Sequence, residues 1–225
     1  MSKLYEALQQ YPERGQIGLT RGPGMPRRMI GSRQSMEALH QALESALPSL
    51  ESRIVQFVAS RKGEGTTTIV REFANALHII FKASVLVVDA NPNRGAIQAF
   101  ASLEAKPLSD MLRTIESTDS ERQRATGITS VIYDADIMDS PATQAILRGH
   151  FGYVLLDTPA LGSTATAISF ARHVDGVVIV VEAERTRWPV VENTIKAYEA
   201  AGAKVLGVVL NKRAFYIPRW VYRWL

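Results

Sequence analysis

The chain has 225 residues, is 46% apolar and carries a formal net charge of +4, enough for one sizeable core. It has no cysteine, which excludes disulfides, thiolate metal sites, iron–sulfur chemistry and a cysteine nucleophile; its histidines, at 40, 78, 150 and 173, lack metal-ligand spacing. No apolar run approaches the ~20 residues that cross a bilayer, and MSKLYEALQQ is no signal peptide, so a cytoplasmic location is expected. Charge is unevenly spread: residues 1–33 carry six basic and two acidic residues, 34–199 fifteen and twenty, and 200–225 five and none. An acidic body argues against nucleic acid, whereas two basic ends suit a protein partner or an anionic membrane surface.

In chain order, residues 2–10 have the spacing of a short helix, and residues 11–32, with three prolines and five glycines, read as a flexible connector. Ser35 is the expected N-cap of a helix to Leu47, with Met36, Leu39, Leu43 and Leu47 on one stripe. Ile54 to Ala59 is a short apolar run of buried-strand type. The polar and glycine stretch Ser60–Gly65 follows, then Thr66, Thr67 and Thr68. Beyond them Ile69, Val70, Phe73, Ala76, Leu77 and Ile80 recur at helical spacing. Strand, glycine loop, hydroxyls and helix form the layout of a phosphate-binding loop, in which backbone amides and a helix N-terminus face an anion. The loop lysine of that motif is absent: Thr66 holds its position.

Val85–Asp89 is a second buried strand, Pro107–Thr114 a short capped helix, and residues 117–126 a polar loop. Ile128–Tyr133 reads as a strand, Ser140–Leu147 as a helix with Pro141 in its first turn, and Tyr153–Asp157 as a strand that again ends in an acid. Gly176–Val181 and Val205–Leu210 are further apolar strands, joined by a helix over Pro189–Ala201. Continuous apolar strands alternating with helices predict an α/β fold, a single doubly wound, mostly parallel sheet, and the phosphate-type loop after its first strand makes the P-loop NTPase type the expected one. The domain is expected over residues 34–212, with flexible arms at 1–33 and 213–225. Ligands of such sheets bind at the carboxyl ends of the strands, where Asp89 and Asp157 stand. One acid would hold Mg²⁺ and the other would position the attacking group. Thr67 occupies the place of the motif's Mg²⁺-binding hydroxyl.

These pieces resemble the cytoplasmic domain of the bacterial tyrosine autokinases of exopolysaccharide and capsule biosynthesis, within the ParA/MinD-like class of P-loop ATPases. The resemblance rests on Ala59-Ser60 with Gly63-Glu64-Gly65, Val85–Asp89 with Arg94, Pro107–Leu112, Tyr153–Pro159, Val174–Val181 and Gly207–Asn211. The opening SKLYEAL and the ending NKRAFYIPRWVYRWL are similar too. It implies ATP or ADP with Mg²⁺ as cofactor. Arg61, Lys62, Gly63, Glu64, Gly65, Thr66, Thr67 and Thr68 would then surround the phosphates and Asn211 would meet the adenine. Thr67 and Asp157 would serve the metal, and Asp89 and Asp157 would be the catalytic acids. It further implies an inner-membrane chain-length regulator or export protein as partner, a homo-oligomer, and a peripheral position at the inner membrane.

The sequence also departs from the family. Asn91 replaces the acid expected two residues after Asp89, and Ala160 replaces the second proline after Asp157. Arg61 stands where ParA-like relatives carry an extra lysine, so Arg61 or Lys62 is a displaced candidate cation. The family's E-x-x-R-x-x-R becomes Glu37, His40 and Leu43, and its tyrosine-rich tail is reduced to Tyr216 and Tyr222. Losing one preorganised donor costs ~3 kcal/mol of transition-state stabilisation, so a catalytically weakened regulatory protein with weak or lost nucleotide binding is the favoured expectation. An active autokinase and a ParA/MinD-like positioning ATPase are the alternatives.

Overall fold

The computed structural model describes residues 18–19, 33–47, 50–91, 106–117, 125–134, 138–162 and 166–214. Its strands are β1 (Gly18–Leu19), β2 (Arg53–Ala59), β3 (Val85–Asp89), β4 (Lys106–Pro107), β5 (Ile128–Ile132), β6 (Tyr153–Asp157), β7 (Gly176–Glu182), β8 (Val205–Asn211) and β9 (Arg213–Ala214). Its helices are α1 (Arg33–Ala46), α2 (Thr66–Ile79), α3 (Leu108–Ser117), α4 (Pro141–His150), α5 (Thr166–Ser169) and α6 (Trp188–Ala200). Seven strands form one sheet in the order β4-β5-β3-β6-β2-β7-β8, and every pairing in it is parallel.

The strands are apolar throughout because both faces of the sheet are covered. Odd-numbered positions such as Val55, Phe57, Val85, Val87 and Leu155 pack under α1 and α2. Even-numbered positions such as Ile54, Leu86, Val88, Val154 and Leu156 pack with Leu112 and Leu147 of α3 and α4. Val58, Val177 and Ile179 continue that second face under Val191 and Tyr198 of α6. Helices on both sides of a parallel sheet are what the alternation of elements predicts.

Strand β2, between β6 and β7, buries a polar side chain at its middle. Gln56 is fully buried, and its amide nitrogen lies 3.1 Å from Thr158 Oγ1 and 3.0 Å from the Tyr198 hydroxyl, tying α6 to the sheet. At the β7–β8 step the Leu206 side chain packs over Gly176: a Cβ there would lie 2.4 Å from Leu206 Cγ.

One expectation is corrected. Ser35 is not an N-cap: α1 begins at Arg33, which pairs with Glu37 one turn on at 2.8 Å, and Ser35 is buried inside the helix. β1 and β9 pair in parallel, Gly18 opposite Arg213 and Leu19 opposite Ala214. The expected helix over 2–10, Arg94, nearly all of the polar loop and the aromatic tail from 215 onward lie outside the described residues.

Candidate nucleotide site

At the carboxyl end of β2 the chain turns through Ser60–Gly65 into α2. Gly63 and Gly65 take φ of 89° and 94°, a region costly for a side-chain-bearing residue. Gly65 is the N-cap of α2, and its carbonyl accepts the Thr68 and Ile69 amides at 3.1 Å. That leaves the amides of Thr66 and Thr67, in the first turn, without intrahelical acceptors and on the positive end of the helix dipole. Thr66, at the first helical position, is 8% exposed. The loop can therefore offer donors to a diphosphate, while its own side chains supply no ammonium at the usual place.

The two acids converge on this loop. Asp157 closes β6 and is in register with Phe57 of β2 on one side and Asp89 of β3 on the other. Its buried carboxylate accepts a hydrogen bond from the Thr67 hydroxyl. Burial pushes the Asp157 carboxyl up to about 7; the Thr67 bond opposes this and the charge of Asp89 adds to it. Asp89, also buried, is raised mainly by burial and partly restrained by the Asn91 amide, which donates to Oδ1 at 2.8 Å. Two buried carboxylates and a hydroxyl beside a phosphate-type loop suit a divalent cation, whose charge would relieve the burial of both. Among the described residues no cluster of three or more acidic, histidine or cysteine ligands exists, so such an ion would draw its remaining ligands from phosphate and water.

The other expected site residues lie around the loop in different roles. Arg61 and Lys62 are exposed on its rim. Together with Glu64, Glu182, Arg185 and Thr186 they line a cavity of about 100 Å³ beside the end of β7. Glu64 is buried: it accepts the Arg61 amide at 2.7 Å and the Glu182 amide at 3.3 Å, and bonds the Thr186 hydroxyl. Asn211, at the end of β8 and 1% exposed, spends its carboxamide on backbone. Its Nδ2 donates to the Glu64 carbonyl and its Oδ1 accepts the Lys212 amide, both at 2.8 Å. Ala160 is buried against the same end of the sheet, with Leu161 N bonded to Ala59 O at 3.0 Å.

Sequence reading missed Lys212, counted only among the basic residues near the C-terminus. Its ammonium bonds the Gly63 carbonyl and sits 3.2 Å from Glu182 Oε2. Its place after the strand-ending Asn211 was the available signal. A second cavity, about 680 Å³, opens at the opposite end of the sheet among His40, Glu44, Arg53, Phe81 and Tyr153. It lies at the amino ends of the strands, away from the loop and both acids. There His40 stacks on Phe81 at 3.7 Å and Leu43 is fully buried, so two positions of the altered helix motif face the domain's own body.

No protein-family model matches the chain. The fold is that of P-loop NTPases of the ParA/MinD-like type. The septum site-determining protein MinD of Pyrococcus horikoshii, solved with Mg-ADP, superposes with a TM-score of 0.52 at 22% identity, covering 76% of each chain. The same fold likeness extends to bacterial tyrosine kinases. The kinase domain of Escherichia coli tyrosine kinase ETK gives a TM-score of 0.65 at 19% identity over 95% of this chain and 89% of that one. In sequence, the chain is 26% identical over 187 residues to the succinoglycan biosynthesis transport protein ExoP of Rhizobium meliloti, covering 76% of this chain and 24% of that protein. It is 36% identical over 66 residues to the tyrosine-protein kinase CpsD of Streptococcus agalactiae, 29% of each. The matched parts thus span only 24% and 29% of those two relatives' lengths. The resemblance read from the sequence is present in both kinds of comparison.

Proposed function

We propose that this chain is a regulatory, catalytically weakened relative of the bacterial tyrosine autokinases, acting in the synthesis or export of a surface polysaccharide. The observation that carries this reading is the combination at the carboxyl edge of the sheet. Gly63, Gly65 and Thr67 after β2, Asp89 at the end of β3 and Asp157 at the end of β6 support a Mg²⁺–diphosphate site there, while Thr66 stands where the transferring phosphoryl group would need a cation. Amides and a helix dipole hold a diphosphate without that side chain, so binding outlasts turnover. Asn91, in place of a second acid, removes a further charged group near Asp89. The proposed cofactor is ATP or ADP with Mg²⁺, weakly held.

The proposed partner is an inner-membrane chain-length regulator or export protein. The basic, aromatic tail over residues 213–225 offers a further contact with that partner or with an anionic membrane surface. Among the described residues no helix is long and apolar enough to cross a membrane. A homo-oligomer belongs to the same reading, although its helix motif is altered at His40 and Leu43. The test is Mg-ATP and Mg-ADP calorimetry on the purified chain, alongside an autophosphorylation assay. Weak binding with negligible turnover is expected. Phosphorylation of its own tyrosines at the rate of lysine-bearing relatives would replace this reading with that of an active autokinase drawing its cation from Arg61 or Lys62.

A further inference from the structure

The loop has lost its own lysine, yet one ammonium already rests on it. Lys212 follows β8 and takes φ of 58°, a left-handed conformation unusual for a residue with a side chain. Its Nζ bonds the Gly63 carbonyl and pairs with Glu182 Oε2 at 3.2 Å, the two side chains 33% and 18% exposed. The residue before it holds the next link of the loop, through Asn211 Nδ2 on the Glu64 carbonyl. Glu182 returns to the same segment, its amide bonded to the Glu64 carboxylate. The ends of β7 and β8 are joined as well, by the Ala183 amide on the Asn211 carbonyl at 2.8 Å. Two consecutive loop carbonyls, of Gly63 and Glu64, are thus held by two consecutive residues at and just beyond the end of β8, which lies across β7 from the loop's own strand.

We propose that Lys212 is the positioning residue of the phosphate loop, a cation supplied from the end of β8 that latches the loop at Gly63 where the loop's own lysine is missing. The ligand class it serves is the diphosphate of a nucleotide, and in that respect it rests on the function proposed above. The physical case is preorganisation. Gly63 and Gly65 make the loop permissive, and a permissive loop loses binding strength to its own disorder unless something outside it fixes the carbonyls. A charged donor on a backbone carbonyl is among the stronger single bonds available for this. Lys212 also sets a positive charge at the Gly63 end of the loop, shared with Glu182.

The test compares Lys212→Met, which keeps the apolar stem and the backbone requirement, with Lys212→Arg, which keeps the charge. In the ligand-free protein, amide hydrogen exchange over residues 60–68 is expected to quicken about tenfold in Lys212→Met, as loss of one charged hydrogen bond implies, with β3 and α4 unchanged. Lys212→Arg should restore most of the protection. Pyrophosphate and Mg-ADP binding should weaken severalfold in Lys212→Met, with a shallower salt dependence than in the unmodified protein. Unchanged exchange over residues 60–68, or quickening spread evenly through the domain, overturns the proposal. If the unmodified protein takes neither pyrophosphate nor Mg-ADP, the nucleotide reading fails, and the exchange comparison still decides whether Lys212 is the latch.

Discussion

Restoring the lysine at position 66 should separate binding from catalysis. Thr66 is the first residue of α2 and is 8% exposed, so the long side chain of Thr66→Lys must leave the packed base of the loop toward the phosphate side. An ammonium about 4 Å from a phosphate charge gains about 1 kcal/mol in water-like surroundings and about 4 kcal/mol at an effective dielectric near 20. Mg-ATP affinity should therefore rise between about fivefold and several hundredfold. In the empty protein the same cation sits on the positive end of the α2 dipole and costs about 0.3–1 kcal/mol. For a chain of this size that lowers the melting temperature by about 1–3 °C. The variant should thus melt lower than the parent without ligand and higher with saturating Mg-ATP, a crossing that scanning calorimetry reads directly. Turnover should stay low until Asn91→Asp is added, because the lysine contacts the phosphates in the ground state as well as in the transition state. A lower melting temperature with no gain in Mg-ATP affinity would falsify the assignment of Gly63–Thr67 as a phosphate loop.

Three further outcomes are expected. With the Asp157 carboxyl raised to about 7 by burial against ~3.9 in the unfolded chain, the folded protein binds more protons between those values. Stability should then fall as pH rises across that window and level off above it. Urea unfolding of Asp157→Asn across the same range should lose that slope, and equal slopes in both proteins would count against the buried carboxyl. Gly176→Ala places a methyl 2.4 Å from Leu206 Cγ and should cost about 1–3 kcal/mol by overpacking; Leu206→Ala in the same chain should recover part of it, and an unchanged urea midpoint would contradict the packing of Leu206 over Gly176. Removal of residues 215–225, which leaves the Arg213–Ala214 pairing with Gly18–Leu19 intact, should abolish binding to anionic vesicles, and equal binding by both forms would refute tail docking.

Sequence alone determined the alternation of buried strands and amphipathic helices, because a parallel sheet covered on both faces demands uninterrupted apolar runs such as Val85–Val88 and Val177–Val181. It also determined the loop's glycines, its hydroxyls and the strand-end acids, since their chemistry is visible in residue type and spacing. What it left undecided are relations between distant segments. That Asp89 and Asp157 stand side by side follows only from β6 being inserted between β2 and β3, and their raised pKa values follow from that burial. Glu64 and Asn211, 147 positions apart, meet in a buried carbonyl–carboxamide bond that residue type does not announce. Nor could residue type assign Lys212: a lysine after a strand is ordinary until the fold brings the end of β8 to the loop and sets its ammonium on Gly63. Periodicity reports which face of an element is buried, whereas the partner across the sheet is chosen by the order of strands, which only the packed chain determines.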